Sequence, residues 1–472
     1  MNLGRTAIVA AMAASLAACG GDDDKNSGPT RSGGVAADCS LSARQDWAKS
    51  QLEDWYRFPD LLDLSVDKGN YNSVQAYLDA LTAPGDAVFD PDNIGKTFTY
   101  ITSIKEENDL IANGSSAGFG IRLVYDRGAN RVYVAEAFET APAFKAGIDR
   151  GTEILQIDGQ SVFNLMANGG PAAVSQALGP SDPGVTRNLV FRSASGVEQS
   201  ASVAKADFSL DPISDRYGVK VLEDGAGGKV GYINLRTFIV QNASDQLRTA
   251  FAEFRAQGIT NIILDLRYNG GGLVNVADTL GDLMGQGLVG QVFSNTTYRS
   301  SKSSRNSTRL FEQEAQQITV MKLAVIGRLG TASASELVAN SMIPYLNENI
   351  ALIGTDTYGK PVGQDAFDRS ACDDRLRAVT FQTVNAAGNG EYFGGLASVM
   401  PNTCRANDDI FTQLGEPGEQ SVSVALDFLA GRTCTPISGG TKDGSVMTEA
   451  PTRRLLESPM PSAAQREMPG LY

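Results

Sequence analysis

The 472-residue sequence contains no histidine at all. That absence removes every Ser-His-Asp and Cys-His arrangement and every metal site built on imidazole. Any acid–base chemistry then falls to Lys, Asp, Glu, Tyr or Cys. Positive charge is also short, with 40 Lys and Arg against 54 Asp and Glu and a formal charge of −14. A phosphate-backbone binder is disfavoured by that balance, so no nucleic-acid partner is expected. Cysteine is scarce, five residues with no CxxC pair, which argues against a zinc cluster. The alanine-rich run over residues 6–16 is too short to span a bilayer, which takes about 20 apolar residues in a helix.

What is present at the start of the chain is one basic residue, Arg5, that apolar run, and then Leu16-Ala17-Ala18-Cys19 followed by Gly20-Gly21-Asp22-Asp23-Asp24. The pattern reads as an export signal. Leu-Ala-Ala-Cys resembles the bacterial lipobox, which implies a signal peptide over 1–18, acylation of Cys19 and a lipid-anchored protein on the periplasmic face of a membrane in the bacterial cell envelope. Residues 19–39 are rich in Gly, Asp and Ser with hardly any large apolar side chain, and they read as a flexible tether. Residues 437–472, with Gly439-Gly440, repeated proline and scattered charge, are expected to be a disordered C-terminal tail. Cys39, Cys372, Cys404 and Cys434 remain, an even number suited to an oxidising compartment. Three pairings are open, with Cys372–Cys404 and Cys39–Cys434 preferred.

The intervening chain, at roughly 150 residues per domain, has room for about three units. Over 40–112 the spacing is helical, with Leu41, Ala48, Leu52 and Trp55 on one stripe and Val74, Tyr77, Leu78 and Leu81 on another, both assigned to packing. Asp90-Pro91-Asp92-Asn93-Ile94-Gly95 begins like a calcium loop, but Ile94 and Ile101 stand where ligands are needed. Over 113–206 the pattern changes to short β runs: Gly120-Ile121-Arg122-Leu123-Val124, Arg131-Val132-Tyr133-Val134 and Glu153-Ile154-Leu155-Gln156-Ile157. Gly118-Phe119-Gly120-Ile121 resembles the carboxylate-binding loop of PDZ domains, and the stretches 141–148 and 151–154 resemble the helix and following strand of the bacterial form. The resemblance implies capture of an extended C-terminal peptide at a sheet edge, its carboxylate received by main-chain N–H groups. Gly470-Leu471-Tyr472 itself has the character of a ligand for such a groove.

Over 207–436 strands alternate with helices, as in a mostly parallel sheet. Ile262-Ile263-Leu264-Asp265-Leu266, Leu323-Ala324-Val325-Ile326 and Ile350-Ala351-Leu352-Ile353 are continuous apolar strands, and 333–343 is a helix that Pro344 should end. Open α/β sheets place their chemistry at the turns after such strands. Three turns qualify: Arg267-Tyr268-Asn269-Gly270-Gly271-Gly272, Gly330-Thr331-Ala332-Ser333-Ala334-Ser335-Glu336, and Thr357-Tyr358-Gly359-Lys360-Pro361-Val362-Gly363-Gln364. A serine at a helix start lies near free N–H groups that can stabilise an oxyanion. Without imidazole, a buried lysine of lowered pKa is the natural base for its hydroxyl.

Taken together, Asp265-Leu266-Arg267-Tyr268-Asn269-Gly270-Gly271, Thr331-Ala332-Ser333-Ala334-Ser335-Glu336 and Gly359-Lys360 with Gln364 resemble the C-terminal processing (tail-specific) peptidases, the S41 serine peptidases. The fold implied is α+β multidomain: a helical N-terminal segment, a PDZ-like β domain and an α/β ClpP/crotonase-like core. The resemblance implies Ser333 as nucleophile, Lys360 as general base, Gln364 as the residue orienting that lysine, and Gly271 and Ala334 N–H groups as the oxyanion hole. Lys360 lies 27 positions after Ser333 and 25 after Ser335; the family's usual spacing favours Ser335, whereas the phase of the Ser-Ala-Ser-Glu motif favours Ser333, which is preferred. The implied protein is a serine endopeptidase acting on exported polypeptides, with no metal or other cofactor. The phosphate-loop look of 354–360 fails at Pro361, where Ser or Thr should hold magnesium, so no nucleotide is expected. The alternative is a catalytically silent PDZ-containing binding or scaffold lipoprotein.

Overall fold

The computed structural model describes residues 38–91, 95–437 and 453–472. The expected signal peptide, Cys19 and most of the expected tether lie outside these residues. Among them, no helix is long and apolar enough to cross a membrane.

The apolar runs of the last large region become the centre of a six-stranded sheet. Its order is Val219–Glu223, Lys229–Asn234, Asn261–Asp265, Lys322–Gly327, Ile350–Gly354 and Asn402–Arg405. The first pair is antiparallel and the rest are parallel. Because side chains alternate across a strand, Ile262, Leu264, Leu323, Val325, Ile350 and Leu352 face one layer of helices, Ala243–Ala256, Val274–Met284 and Ala334–Leu346. Ile263, Ala324, Ile326, Ala351 and Ile353 face the other way, toward the helix Gln420–Leu429. Both faces are covered, which is why these strands read as unbroken apolar runs.

Pro344 does not end its helix, which continues to Leu346. A proline deprives the carbonyl four residues back of its donor. Here the deprived group, Asn340 C=O, accepts instead from Asn385 Nδ2 at 3.1 Å.

A second sheet contains Tyr100–Ser103, Asp374–Val384, Val292–Tyr298 and Ser307–Leu310, with Val362–Arg369 also paired to Asp374–Val384. The helices Leu41–Trp55 and Val74–Phe89 lie against it, burying Ala48, Leu52, Leu78 and Leu81 over Leu376, Ala378 and Val379. Ser40 and Ser73 side chains accept from Ala43 and Ala76 N–H and so start these helices. A third, seven-stranded sheet runs Arg453–Leu455, Ile121–Asp126, Arg131–Ala137, Glu153–Ile157, Thr186–Arg192 and Glu198–Ala204, with Gln160–Ser161 beside Glu153–Ile157. The helix Val162–Leu178 packs on it.

Two expectations are corrected. The disulfides join Cys39 to Cys372 and Cys404 to Cys434, with Cα atoms 5.5 and 5.4 Å apart. The preferred pairing fails because the first helix docks on the turn that bears Cys372, where Arg44 binds Asp374 at 2.5 Å. The chain after the helix Gln420–Leu429 returns to the edge strand that bears Cys404, where Arg405 N–H meets Thr435 C=O at 2.7 Å. The second correction concerns the expected disorder after 436. Residues 453–472 are ordered, with the strand Arg453–Leu455, a short helix Ala463–Glu467, and Leu456, Met468, Leu471 and Tyr472 buried. The region is polar on average, yet a few well-spaced apolar side chains suffice when each finds a cluster to enter. Residues 438–452 lie outside the described residues.

Candidate active site

The three turns singled out in the sequence meet at one end of the parallel sheet. The first is held rigidly from below. Arg267 is buried and bonded to Asp265 at 2.9 Å and to Glu419 at 2.8 Å, and the Tyr268 hydroxyl bonds to Asp408. Asn269 ties the turn together: its Nδ2 donates to Leu235 C=O at 2.8 Å and its Oδ1 accepts from Gly271 N–H at 2.9 Å. Gly271 has φ of 110°, and a Cβ there would fall 2.8 Å from Cβ of Ser333. Only glycine permits that approach of backbone to serine.

Ser333 stands at the start of the helix Ala334–Leu346 with φ of 54°, a left-handed value that is uncommon for a residue with a side chain. Strain of this kind persists only where the surroundings enforce it. Ala332 N–H donates to Asn269 C=O at 3.0 Å on one side, and Ser333 N–H donates to Glu336 Oε2 at 3.0 Å on the other. Ser333 is half-buried, while Ser335 is wholly buried with its hydroxyl donating to Asn269 C=O at 3.0 Å.

Glu336 is the residue that joins the serine turn to the lysine turn. Its Oε2 accepts from Ser333 N–H and, at 2.8 Å, from Lys360 N–H. Its Oε1 accepts from Gly359 N–H at 2.7 Å and from the Thr357 hydroxyl at 2.5 Å. Burial pushes its carboxyl up to about 7, against the pull of these four donors. No role was read for it in the sequence, although a serine followed three residues later by glutamate is the capping-box pattern.

Lys360 donates from Nζ to Gln364 Oε1 at 3.2 Å, and Gln364 donates from Nε2 to Phe98 C=O. Desolvation is the chief influence on the ammonium and lowers its pKa, with Arg377 acting in the same direction and Glu467 and Glu336 opposing. Gln364 thus holds the lysine, and the strand Tyr100–Ser103 with the chain before it backs Gln364. Of the two expected oxyanion donors, Ala334 N–H lies in the first turn of its helix, where such groups have no intrahelical acceptor. Gly271 N–H is engaged by Asn269 Oδ1, so a substrate oxygen must compete with that side chain.

The loop Gly118-Phe119-Gly120-Ile121 lies at the edge of the seven-stranded sheet. Gly120 has φ of 70°, and a Cβ there would fall 2.0 Å from that of Ala141. Gly120 and Ile121 N–H groups both donate to the Tyr472 main-chain oxygen, at 2.8 and 3.2 Å. Arg122, next along the strand, connects the two regions: it bonds to Glu136 at 3.1 Å, to Pro469 C=O at 3.1 Å and to Tyr268 C=O. Nothing in the sequence marked Arg122, because its partners come from three distant parts of the chain.

A strained serine at a helix start, a lysine of lowered pKa and a glycine loop are thus gathered at one end of a parallel sheet, the serine and lysine turns joined through Glu336. Residues 229–392 match the model of peptidase family S41, a family of serine peptidases. The chain is 24% identical over 363 residues to a carboxyl-terminal-processing protease of Synechocystis, covering 76% of this chain and 77% of that protein. It is also 28% identical over 272 residues to the chloroplastic carboxyl-terminal-processing peptidase 3 of Arabidopsis thaliana, covering 57% of this chain but only 50% of that one. In fold it resembles a structure assigned to the S41 proteases from Bacteroides fragilis, with a TM-score of 0.63, 22% identity, and 82% of this chain and 97% of that chain covered.

Proposed function

We propose that the protein is an endopeptidase with a Ser333/Lys360 dyad that cleaves exported polypeptides and recognises their C-terminal regions through a PDZ domain over 113–206. Neutral Lys360 takes the proton from the Ser333 hydroxyl as its Oγ attacks the scissile carbonyl carbon. Ala334 and Gly271 N–H groups receive the developing oxyanion. The lysine then gives that proton to the departing amine, leaving an acyl-serine, and activates the water that hydrolyses it. Gln364 keeps Nζ aimed, and Glu336 sets the separation of the two turns.

One observation carries this reading. A single carboxylate oxygen, Glu336 Oε2, accepts from the main-chain N–H of Ser333 and of Lys360, whereas the hydroxyl of Ser335 is committed to Asn269 C=O. The similarity to carboxyl-terminal-processing proteases supports the substrate class. Export with a lipid anchor at Cys19 fits the two disulfides, which form in an oxidising compartment. A serine-directed acylating probe should modify the protein at Ser333 and lose all labelling in Ser333→Ala. Labelling that survives in Ser333→Ala, or that maps to Ser335, sinks the assignment.

A further inference from the structure

The strand Ile121–Asp126 has the edge on which a peptide would be added, and that edge is already taken. Arg453–Leu455 pairs antiparallel with it over Asp126 to Val124, and Leu456 N–H continues to Leu123 C=O at 2.9 Å. The chain then leaves the strand and returns to it: Leu123 N–H donates to Gly470 C=O and Tyr472 N–H to Ile121 C=O, both at 2.8 Å. The Tyr472 oxygen sits on the Gly120 and Ile121 N–H groups, and its ring is buried in the cluster of Phe119, Ile121 and Val174. These are the contacts that β-augmentation with carboxylate capture would make with a substrate end.

Between those two attachments the segment passes along the cleft that holds Lys360 and Gly270. Glu467 C=O lies 2.6 Å from where a Gly270 Cβ would be, so the glycine loop has room for the segment only because it has no side chain there. Tyr100 OH donates to Glu467 at 3.0 Å and Arg466 lies over the Tyr100 ring at 4.4 Å. Glu457 and Ser458 line two cavities, one of about 180 Å³ that contains Lys360 and Ala332 and one of about 410 Å³ beside Arg328 and Tyr268. The smaller is below the roughly 300 Å³ at which ligand pockets begin.

We infer that residues 453–472 are a built-in occupant of the substrate path: 470–472 fill the peptide groove, 456–469 roof the cleft, and polypeptides ending in an apolar and then an aromatic residue gain access by displacing them. The inference rests on the dyad and groove assigned above. The segment has the character of a displaceable lid, since it inserts charge into the cleft. Burial pushes the Glu457 carboxyl up and the Arg466 guanidinium down, so both are held at a cost that release into water removes. Its apolar anchors, Met468 and Leu471, enter a cluster with Phe138, Phe208 and Ile239.

The test compares the full chain with a variant lacking 470–472 and with Gly470→Val, whose Cβ would meet Leu455, Leu123 and Arg122 at about 3 Å while Tyr472 is retained. In a Ser333→Ala background, a labelled peptide of residues 463–472 with a free carboxylate should bind both altered proteins about tenfold or more tighter than the full chain, because a groove open in a small fraction of molecules weakens apparent affinity by that fraction. The same peptide as its amide, or ending in Asp, should bind none of them. With Ser333 intact, hydrolysis of a short quenched peptide should rise severalfold in both variants. Equal peptide binding by all three proteins overturns the inference, as does tighter binding with no rise in an existing hydrolysis. Tighter binding by the variants with no hydrolysis in any protein upholds the occupancy and overturns the peptidase mechanism instead. A thermal melt of Gly470→Val confirms that the compared proteins are folded.

Discussion

At the scale of residues, two serines two positions apart have opposite surroundings. Ser333 is half-buried on a strained backbone, and Ser335 is sealed under Asn269. Under the proposed dyad, Ser333→Ala and Lys360→Ala should each abolish hydrolysis, and the double variant should lose hardly more, as for two groups that act as one unit. Ser335→Ala should keep substantial activity while losing about 1 kcal/mol of stability with its hydrogen bond. Activity and melting measurements on the four variants check this, and an inactive but folded Ser335→Ala would reverse the assignment. The two perturbed groups also set pH dependences of opposite sign. Lys360 must be neutral to accept a proton, so kcat/KM should fall as pH drops through its lowered pKa. In the folded protein this lysine releases its proton before it does in the unfolded chain, so its contribution to stability rises with pH between the lowered value and the ordinary 10.5. Glu336 does the reverse. Its carboxyl, raised from 4.5 to about 7, holds a proton that the unfolded chain has lost, so stability should fall across that window by about 3 kcal/mol. Glu336→Gln should remove that slope in pH-dependent denaturation, and it should lower kcat by loosening the serine and lysine turns.

At the scale of elements, the site is a junction of a glycine turn, a helix start and a hairpin. Gly271→Ala would place a Cβ 2.8 Å from that of Ser333 at φ of 110°. Displacing an oxyanion donor costs about 10²–10³-fold in kcat, and a loss of that order with a smaller change in KM is expected from steady-state kinetics. The strands and helices of this core were legible because their burial is two-sided and their periodicity is clean, as at Ile262-Ile263-Leu264. The serine and lysine turns were legible because each motif is contiguous. The helix running past Pro344 was not, since the donor that relieves Asn340 C=O is Asn385, 45 positions away.

At the scale of the molecule, the first helix and the lysine hairpin are clamped together by Cys39–Cys372, which closes a span of 333 residues, and by Arg44–Asp374. Replacing both cysteines with serine should cost about 2–4 kcal/mol, and it should weaken activity through the support that Phe98 C=O gives Gln364. Denaturant titration of the oxidised protein and the variant measures the first effect, and kcat the second. Under the proposed anchoring, Cys19→Ser should move the protein from the membrane fraction to the soluble one or leave it unprocessed. Unchanged membrane association and mass would remove the lipoprotein proposal.

What the sequence determined by itself was everything carried by short-range pattern: chemistry without histidine, buried parallel strands, and the order of the serine, lysine and glutamine motifs. What only the tertiary structure decided was everything carried by side chains meeting across the chain. Glu336 joins the serine turn to Lys360, 24 positions away, Arg122 reaches from its strand to Tyr268 and Pro469, and Cys39 pairs by which turn the first helix docks on. The ordering of 453–472 belongs to the same class. Its composition is that of a tail, and its apolar side chains are stabilised by clusters built from residues such as Phe119, Phe138, Ile239 and Tyr133, which are remote from it in sequence and near it only after folding.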